Sequence, residues 1–238
     1  MFGPLFNSIA IVGGGLFGST LAKHIPKRIE QGLPATFALS AFAIGITMLG
    51  KVDNMLPVVM AFIIGTALGE FLRLENAAGS GAQRLQSRLK KRLPLPRGLS
   101  QTEFSMQYTS LIVLFSASGL GVIGALTEGL TGDNQLLMMK SLMDFLTAMI
   151  FAISLGSSII FIAVIQFVVQ TVLFLLAQTI MPLMDGATFA NFTALGGIIM
   201  VAIGLRIAKI MDFSVVNYLP GLILVVPFSI GWAHLGFS

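Results

Sequence analysis

The sequence predicts an all-α integral membrane protein with about eight transmembrane helices, seven being the lower count, and with an inverted repeat relating the first three helices to the last three. Three observations carry that prediction. Of 238 residues, 55% are hydrophobic and only 10% charged, whereas soluble domains carry roughly a quarter charged residues. A mean hydropathy of +0.92 over the whole length leaves no stretch of domain size for a soluble part. Apolar runs of about twenty residues, enough to cross ~30 Å of hydrocarbon, recur along the chain. One transmembrane domain, residues 1–238, is expected, with a basic cytoplasmic loop at residues 73–105 inside it.

In chain order the spans are Leu5–Lys23, Pro34–Gly50, Met55–Leu72, Gln107–Ala125, Gln135–Gly156, Ser157–Met181, Phe189–Ile207 and Val215–Leu235. The second is short, and Gly119, Gly121 and Gly124 are expected to bend or interrupt the fourth. Short loops rich in Lys and Arg stay on the cytoplasmic side. Of the 14 Lys and Arg residues, all but Lys51 and Lys140 fall on one face: Lys23, Lys27 and Arg28 after the first span, Arg73 to Arg97 after the third, and Arg206 and Lys209 before the last. Both termini are then external, or periplasmic, in a bacterial inner membrane. Asp53, Glu128, Asp133 and Asp185 fall in the outer loops, and Trp232 lies near the outer end of the last span as an interface anchor. The N-terminus lacks a basic n-region and a small-residue cleavage site, so the first span is expected to be retained.

Charge and side-chain chemistry narrow the function. Two His and no Cys exclude disulfides, thiolate nucleophiles and a helical HExxH zinc site. Within the basic loop, Leu85, Leu89 and Leu93 alternate with Arg84, Arg88 and Lys91 in a short helical pattern ended by Pro94 and Pro96. That pattern suits either the anionic inner leaflet or a solvated loop. No aromatic platform accompanies the charges, so nucleic acid is not an expected partner.

Spans two and three share a pattern with spans seven and eight. Ile44, Gly45, Asn54, Leu56 and Pro57 match Ile203, Gly204, Asn217, Leu219 and Pro220. Asn before a helix that opens with Pro is the residue choice of an N-cap. With eight spans the two copies run in opposite senses, as in the inverted-topology repeats of secondary transporters.

The polar groups inside the spans are the candidates for a site. Asp144 falls near the middle of the fifth span, where a carboxylate costs roughly 2.5–3.5 kcal/mol on insertion scales. Lys140, four residues earlier, shares its helical face and can neutralise it. A transport site and a purely structural ion pair both fit that pairing. Gln166 and Gln170 repeat the four-residue spacing in the sixth span, and Asn7 lies near the outer end of the first. Ser154 and Ser157 bracket an uncharged turn that could dip into the membrane or simply close a helical hairpin. Gly13, Gly14, Gly15, Gly18, Gly65, Gly69, Gly196 and Gly197 read as close-packing positions. Ser116-Ala117-Ser118-Gly119 with His234, or the Gly129 to Asp133 stretch, would be the elements of an intramembrane hydrolase. No oxyanion donor accompanies the first, and the second reads as an outer loop, so an enzyme is not expected.

Residues 110–156, SLIVLFSASGLGVIGALTEGLTGDNQLLMMKSLMDFLTAMIFAISLG, closely resemble the YqgA-like family of bacterial inner-membrane proteins, also known through YdfK. So do the opening GPLFNSIAIVGGGLFGSTL and the closing GLRIAKIMDFSVVNYLPGLILVVP. The most specific piece is Glu128 to Asp133 followed by Lys140-Ser141 and Asp144. The resemblance implies an inner-membrane address, a transport-type role and no known cofactor. Many members carry Gln-Gly where this chain has Gln170-Thr171, so the resemblance assigns no role to Gln170.

The expectation is a transporter or channel for an ion or small solute, its path passing Asp144 and Lys140, with Asn7, Gln166, Gln170, Ser154 and Ser157 as further candidates. Its rival is a non-transporting scaffold or assembly protein. The expected partners are the lipid bilayer and that ion or solute; a homo-oligomer is allowed, and no cofactor or metal is expected.

Overall fold

The computed structural model of the chain describes residues 1–21, 27–89, 100–116 and 119–234. Among them all regular structure is helical: α1 Phe2–Leu21, α2 Lys27–Leu49, α3 Met55–Leu72, α4 Leu74–Leu89, α5 Gln101–Ser116, α6 Gly119–Thr131, α7 Gln135–Leu155, α8 Ile160–Ile180, α9 Gly186–Ile207 and α10 Leu219–His234. Short 3-10 turns lead into α8, α9 and α10. Seven stretches are long and apolar enough to span a membrane, and the apolar part of α2, Ala38–Leu49, is shorter. A 21-residue helix such as α7 or α8 reaches ~31 Å, the thickness of the hydrocarbon layer. The protein is an all-α, multi-pass membrane protein.

Several boundaries differ from the sequence expectation. α2 begins at Lys27 and runs through Pro34 instead of starting there. The fourth span shifts from Gln107–Ala125 to an apolar stretch at Leu114–Thr131, because Glu128 is a buried member of α6, not a loop residue. Gly121 and Gly124 lie inside α6, where Leu137 packs over Gly124. Part of the basic segment is the helix α4, which starts well before the Leu85 pattern; Lys90 to Pro96 fall outside the described residues.

The chain forms two compact units, Met1–Gln31 with Ala77–Thr179, and Gly32–Asn76 with Ile180–Ser238. In the first, α1 and α7 run parallel. Gly14 faces the Phe145 carbonyl and Gly18 the Met149 carbonyl so closely that no side chain fits at either position. Such small residues let backbones meet where apolar burial offers no drive for association. Phe104, Tyr108, Leu111 and Phe115 of α5 join Ile11 of α1 and Leu155 of α7 in the core. α7 ends at Gly156, whose φ of +57° is a conformation that side-chain-bearing residues rarely adopt. The following turn, Gly156–Ile159, is sealed by a hydrogen bond from the Tyr108 hydroxyl to the Ser158 carbonyl at 3.0 Å. It is a packed hairpin turn.

The second unit holds both copies of the sequence repeat. A Cβ added at Gly45 would lie 2.8 Å from the Gly197 carbonyl, and one at Gly204 would lie 3.1 Å from the Ala38 carbonyl. The shift in numbering that carries Gly45 onto Gly204 also carries Ala38 onto Gly197. The two contacts are therefore equivalent, and α2 lies antiparallel to α9 about a local pseudo-twofold axis. α3 and α10 are likewise antiparallel, with Gly65 against Gly221 and Gly69 against Asn217. α1 and α8, the other members of the first and last three spans, belong to the first unit.

The matched asparagines do different work. Asn54 caps α3, its side chain accepting from the Leu56 N–H at 3.0 Å. Asn217 sits in a 3-10 turn and accepts instead from the Glu75 N–H of α4 at 2.8 Å. Glu75 in turn accepts from the Val216 N–H at 2.9 Å and pairs with Arg206 at 2.8 Å.

Candidate functional site

Asp144 stands near the midpoint of α7 and Lys140 one turn before it, so the four-residue spacing brings both to one helical face, as expected. Their side chains form an ion pair. Lys140 is 2% exposed and Asp144 6%, so the pair is withdrawn from its surroundings. The Lys140 ammonium also sits over the Phe115 ring of α5, 5.9 Å from its centroid, within the range of a cation–π contact. Ser141 is committed within its own helix, donating to the Leu137 carbonyl at 2.6 Å.

Neighbouring helices bring further polar groups to the pair. The Asn7 carboxamide of α1 lies against the Asp144 carboxylate, with neither of its polar atoms closing a regular hydrogen bond. Ser8, the next residue on α1, donates to Gln166 Oε1 of α8 at 2.6 Å. Gln170 follows Gln166 by one turn, near the midpoint of α8. Asn7, Gln166 and Gln170 are fully buried. Adjacent residues of α1 thus reach two helices, Asn7 meeting the Lys140–Asp144 pair of α7 and Ser8 meeting Gln166 of α8, with Gln170 one turn further along α8.

The two serine candidates lie elsewhere. Ser157 is exposed on the turn after α7, and Ser154 is in the last turn of α7, with its side chain outside the described residues. The distance along the helix from Asp144 to that end is about 17 Å.

The hydrolase elements belong to different units. Ser116 ends α5 in the first unit, His234 ends α10 in the second, and Ala117 and Ser118 fall outside the described residues. Asp133, the aspartate of the Gly129 to Asp133 stretch, accepts from the Gln135 N–H at 2.9 Å and so serves the start of α7. Among the described residues there is no cluster of three or more His, Asp or Glu side chains that could hold a metal.

Two polar residues of the spans and outer loops, Glu128 and Asn191, take partners that the sequence does not name. Glu128 is buried and accepts from the Phe2 N–H at 2.8 Å and from the Gly3 N–H at 3.0 Å, clasping the first turn of α1. Backbone N–H groups at a helix start have no partner in their own helix, and a carboxylate there is favourable. In the second unit, Asn191 Oδ1 accepts from the Asp53 and Asn54 N–H groups at 3.1 and 2.8 Å while its Nδ2 donates to Ser229 Oγ at 3.1 Å. Neither long-range partnership has a local signature.

Residues 2–230 match the model of the family described as Protein of unknown function (DUF554). The chain belongs to the DUF554 family. This DUF554 protein is 38% identical over 232 residues to Uncharacterized protein YqgA of Escherichia coli (strain K12), covering 98% of this chain and 97% of that one. It is 26% identical over 228 residues to Uncharacterized membrane protein YdfK of Bacillus subtilis (strain 168), covering 94% and 93%. No solved structure matches it.

Proposed function

We propose that this DUF554 protein is a transporter or channel for an ion or small solute, not an enzyme, and that its path passes Asp144 and Lys140. The observation that carries the reading is a buried Lys140–Asp144 pair within a membrane helix, met by Asn7 of a second helix. Ionisable groups inside a bilayer are costly and concentrate on substrate and ion paths. The inverted pair α2–α3 and α9–α10 adds support, since such repeats build alternating-access transporters.

The bacterial inner membrane is the proposed address, with both termini periplasmic and Arg84 and Arg88 of α4 cytoplasmic. Lipid and the transported solute are the proposed partners, and association with further copies is compatible with the exposed apolar faces. The scaffold reading has its own support in the second unit, where Asn191 and Asn217 are held in hydrogen bonds that tie helices together.

Purified protein in liposomes, assayed for proton, alkali-cation and small organic-solute flux, separates the two. The expected result is flux that Asp144→Asn lowers at least about tenfold while the variant elutes and melts as a folded protein. A folded Asp144→Asn variant with undiminished flux removes Asp144 from the path, and no flux of any kind favours the scaffold.

A further inference from the structure

Gln170 leaves both ends of its carboxamide without a hydrogen-bond partner among the described residues, Gln166 leaves its nitrogen so, and the Asn7 carboxamide lies against Asp144 without closing a regular hydrogen bond. All three side chains are fully buried. A buried polar group left unpaired costs about 1–3 kcal/mol, so three such atoms on α8, with an Asn7 carboxamide that closes no regular hydrogen bond on α1, are too many for packing alone. Buried amides that serve only as glue are paired, as Asn191 is in the second unit. Unpaired ones equip a cavity with adjacent donors and acceptors.

The charges that Asn7 meets cancel. Lys140 and Asp144 are in direct contact, so a lone cation arriving at Asp144 meets the Lys140 ammonium, and a lone anion arriving at Lys140 meets the Asp144 carboxylate. Neither sign gains from the site. A solute without net charge, bearing both donors and acceptors, matches the three carboxamides and does not disturb the pair.

We infer that Asn7, Gln166 and Gln170 line a hydrated site for a small, electrically neutral polar solute, held beside a charge-balanced Lys140–Asp144 pair. This rests on the transport reading for its purpose, but its access and electrostatics can be measured without flux.

The chain contains no cysteine, so single-cysteine variants need no background removed. The full-length protein in liposomes is labelled with trimethylammonioethyl and sulfonatoethyl methanethiosulfonate, each rate normalised to that of a free thiol. Asn7→Cys and Gln170→Cys are expected to react with both reagents at rates within about threefold of each other. Val164→Cys, at a residue of α8 that is 63% exposed, is expected to stay unlabelled in lipid. In the Gln170→Cys background, Asp144→Asn should shift the ratio toward the anionic reagent on the order of tenfold, and Lys140→Met toward the cationic one. The double variant, again without net charge, should return the ratio to its parent value, and it serves where either single charge variant fails to fold.

Cysteines at 7 and 170 as inert as that at 164 would show a dry interior and overturn the site. A parent ratio beyond about tenfold for either sign would assign the site to an ion, and a ratio indifferent to both charge variants would place the pair away from it. Labelling as expected from a protein that passes no solute would leave the site standing and sink the transport reading alone.

Discussion

Asn191 illustrates how one side chain can organise the end of a helical hairpin. It accepts from two N–H groups ahead of α3 and donates to Ser229 of α10, so Asn191→Leu strips three partners at once. The expected loss is about 2–4 kcal/mol, read as a lowered thermal unfolding midpoint in detergent. Asp185 acts more locally. As N-cap of α9 it accepts from the Thr188 N–H at 2.7 Å, and the Thr188 backbone and hydroxyl hold its carboxyl below the ordinary carboxylate range. A depressed folded pKa stabilises the fold above the unfolded value, near 4, and that contribution fades as pH falls through the folded value. Asp185→Ala should therefore cost about 1 kcal/mol at neutral pH, with the gap from wild type closing below roughly pH 4. At this scale the sequence was readable where partners are one helical turn apart, as for Lys140 and Asp144. It was opaque for Glu128, whose partners Phe2 and Gly3 lie 126 and 125 positions away.

Between helices, the decisive residues are those that remove themselves from the contact. Gly14 and Gly18 bring α1 onto the backbone of α7; Gly13 instead leaves 3.4 Å to the Phe145 ring, an ordinary contact for an added methyl. Gly13→Ala should thus fold with a nearly unchanged midpoint, whereas Gly14→Ala should lower the midpoint through a loss of at least about 2 kcal/mol of stability. Equal effects from the two would mean that α1 does not meet α7 in this register. Most spans were legible from apolar run length. The fourth was not, because a glutamate at the end of an apolar run reads as a boundary until its distant N–H partners are known. The glycines announced close packing but not their partners, which depend on chain-distant contacts. The Ile-Gly and Asn-x-Leu-Pro pattern did locate the pseudo-twofold pair in the second unit, while giving Asn217 the capping role that Asn54 alone performs.

For the molecule as a whole, orientation is the property most open to direct measurement. Alkaline phosphatase fused after Asp133 should be active, and fused after Arg88 inactive, if the basic segment stays in the cytoplasm; the reverse pattern would invert the proposed topology. Assembly order follows from the clasp of α1 by α6. At about 5–20 residues per second, the ribosome reaches Glu128 roughly 6 to 25 seconds after it has made Phe2, given the 126 positions between them. Throughout that interval the earliest segment must be held by lipid or by the insertion machinery, with Asn7 and its bare glycine stripe unmet. Nascent chains halted before α6 should accordingly be the forms most readily taken by membrane proteases.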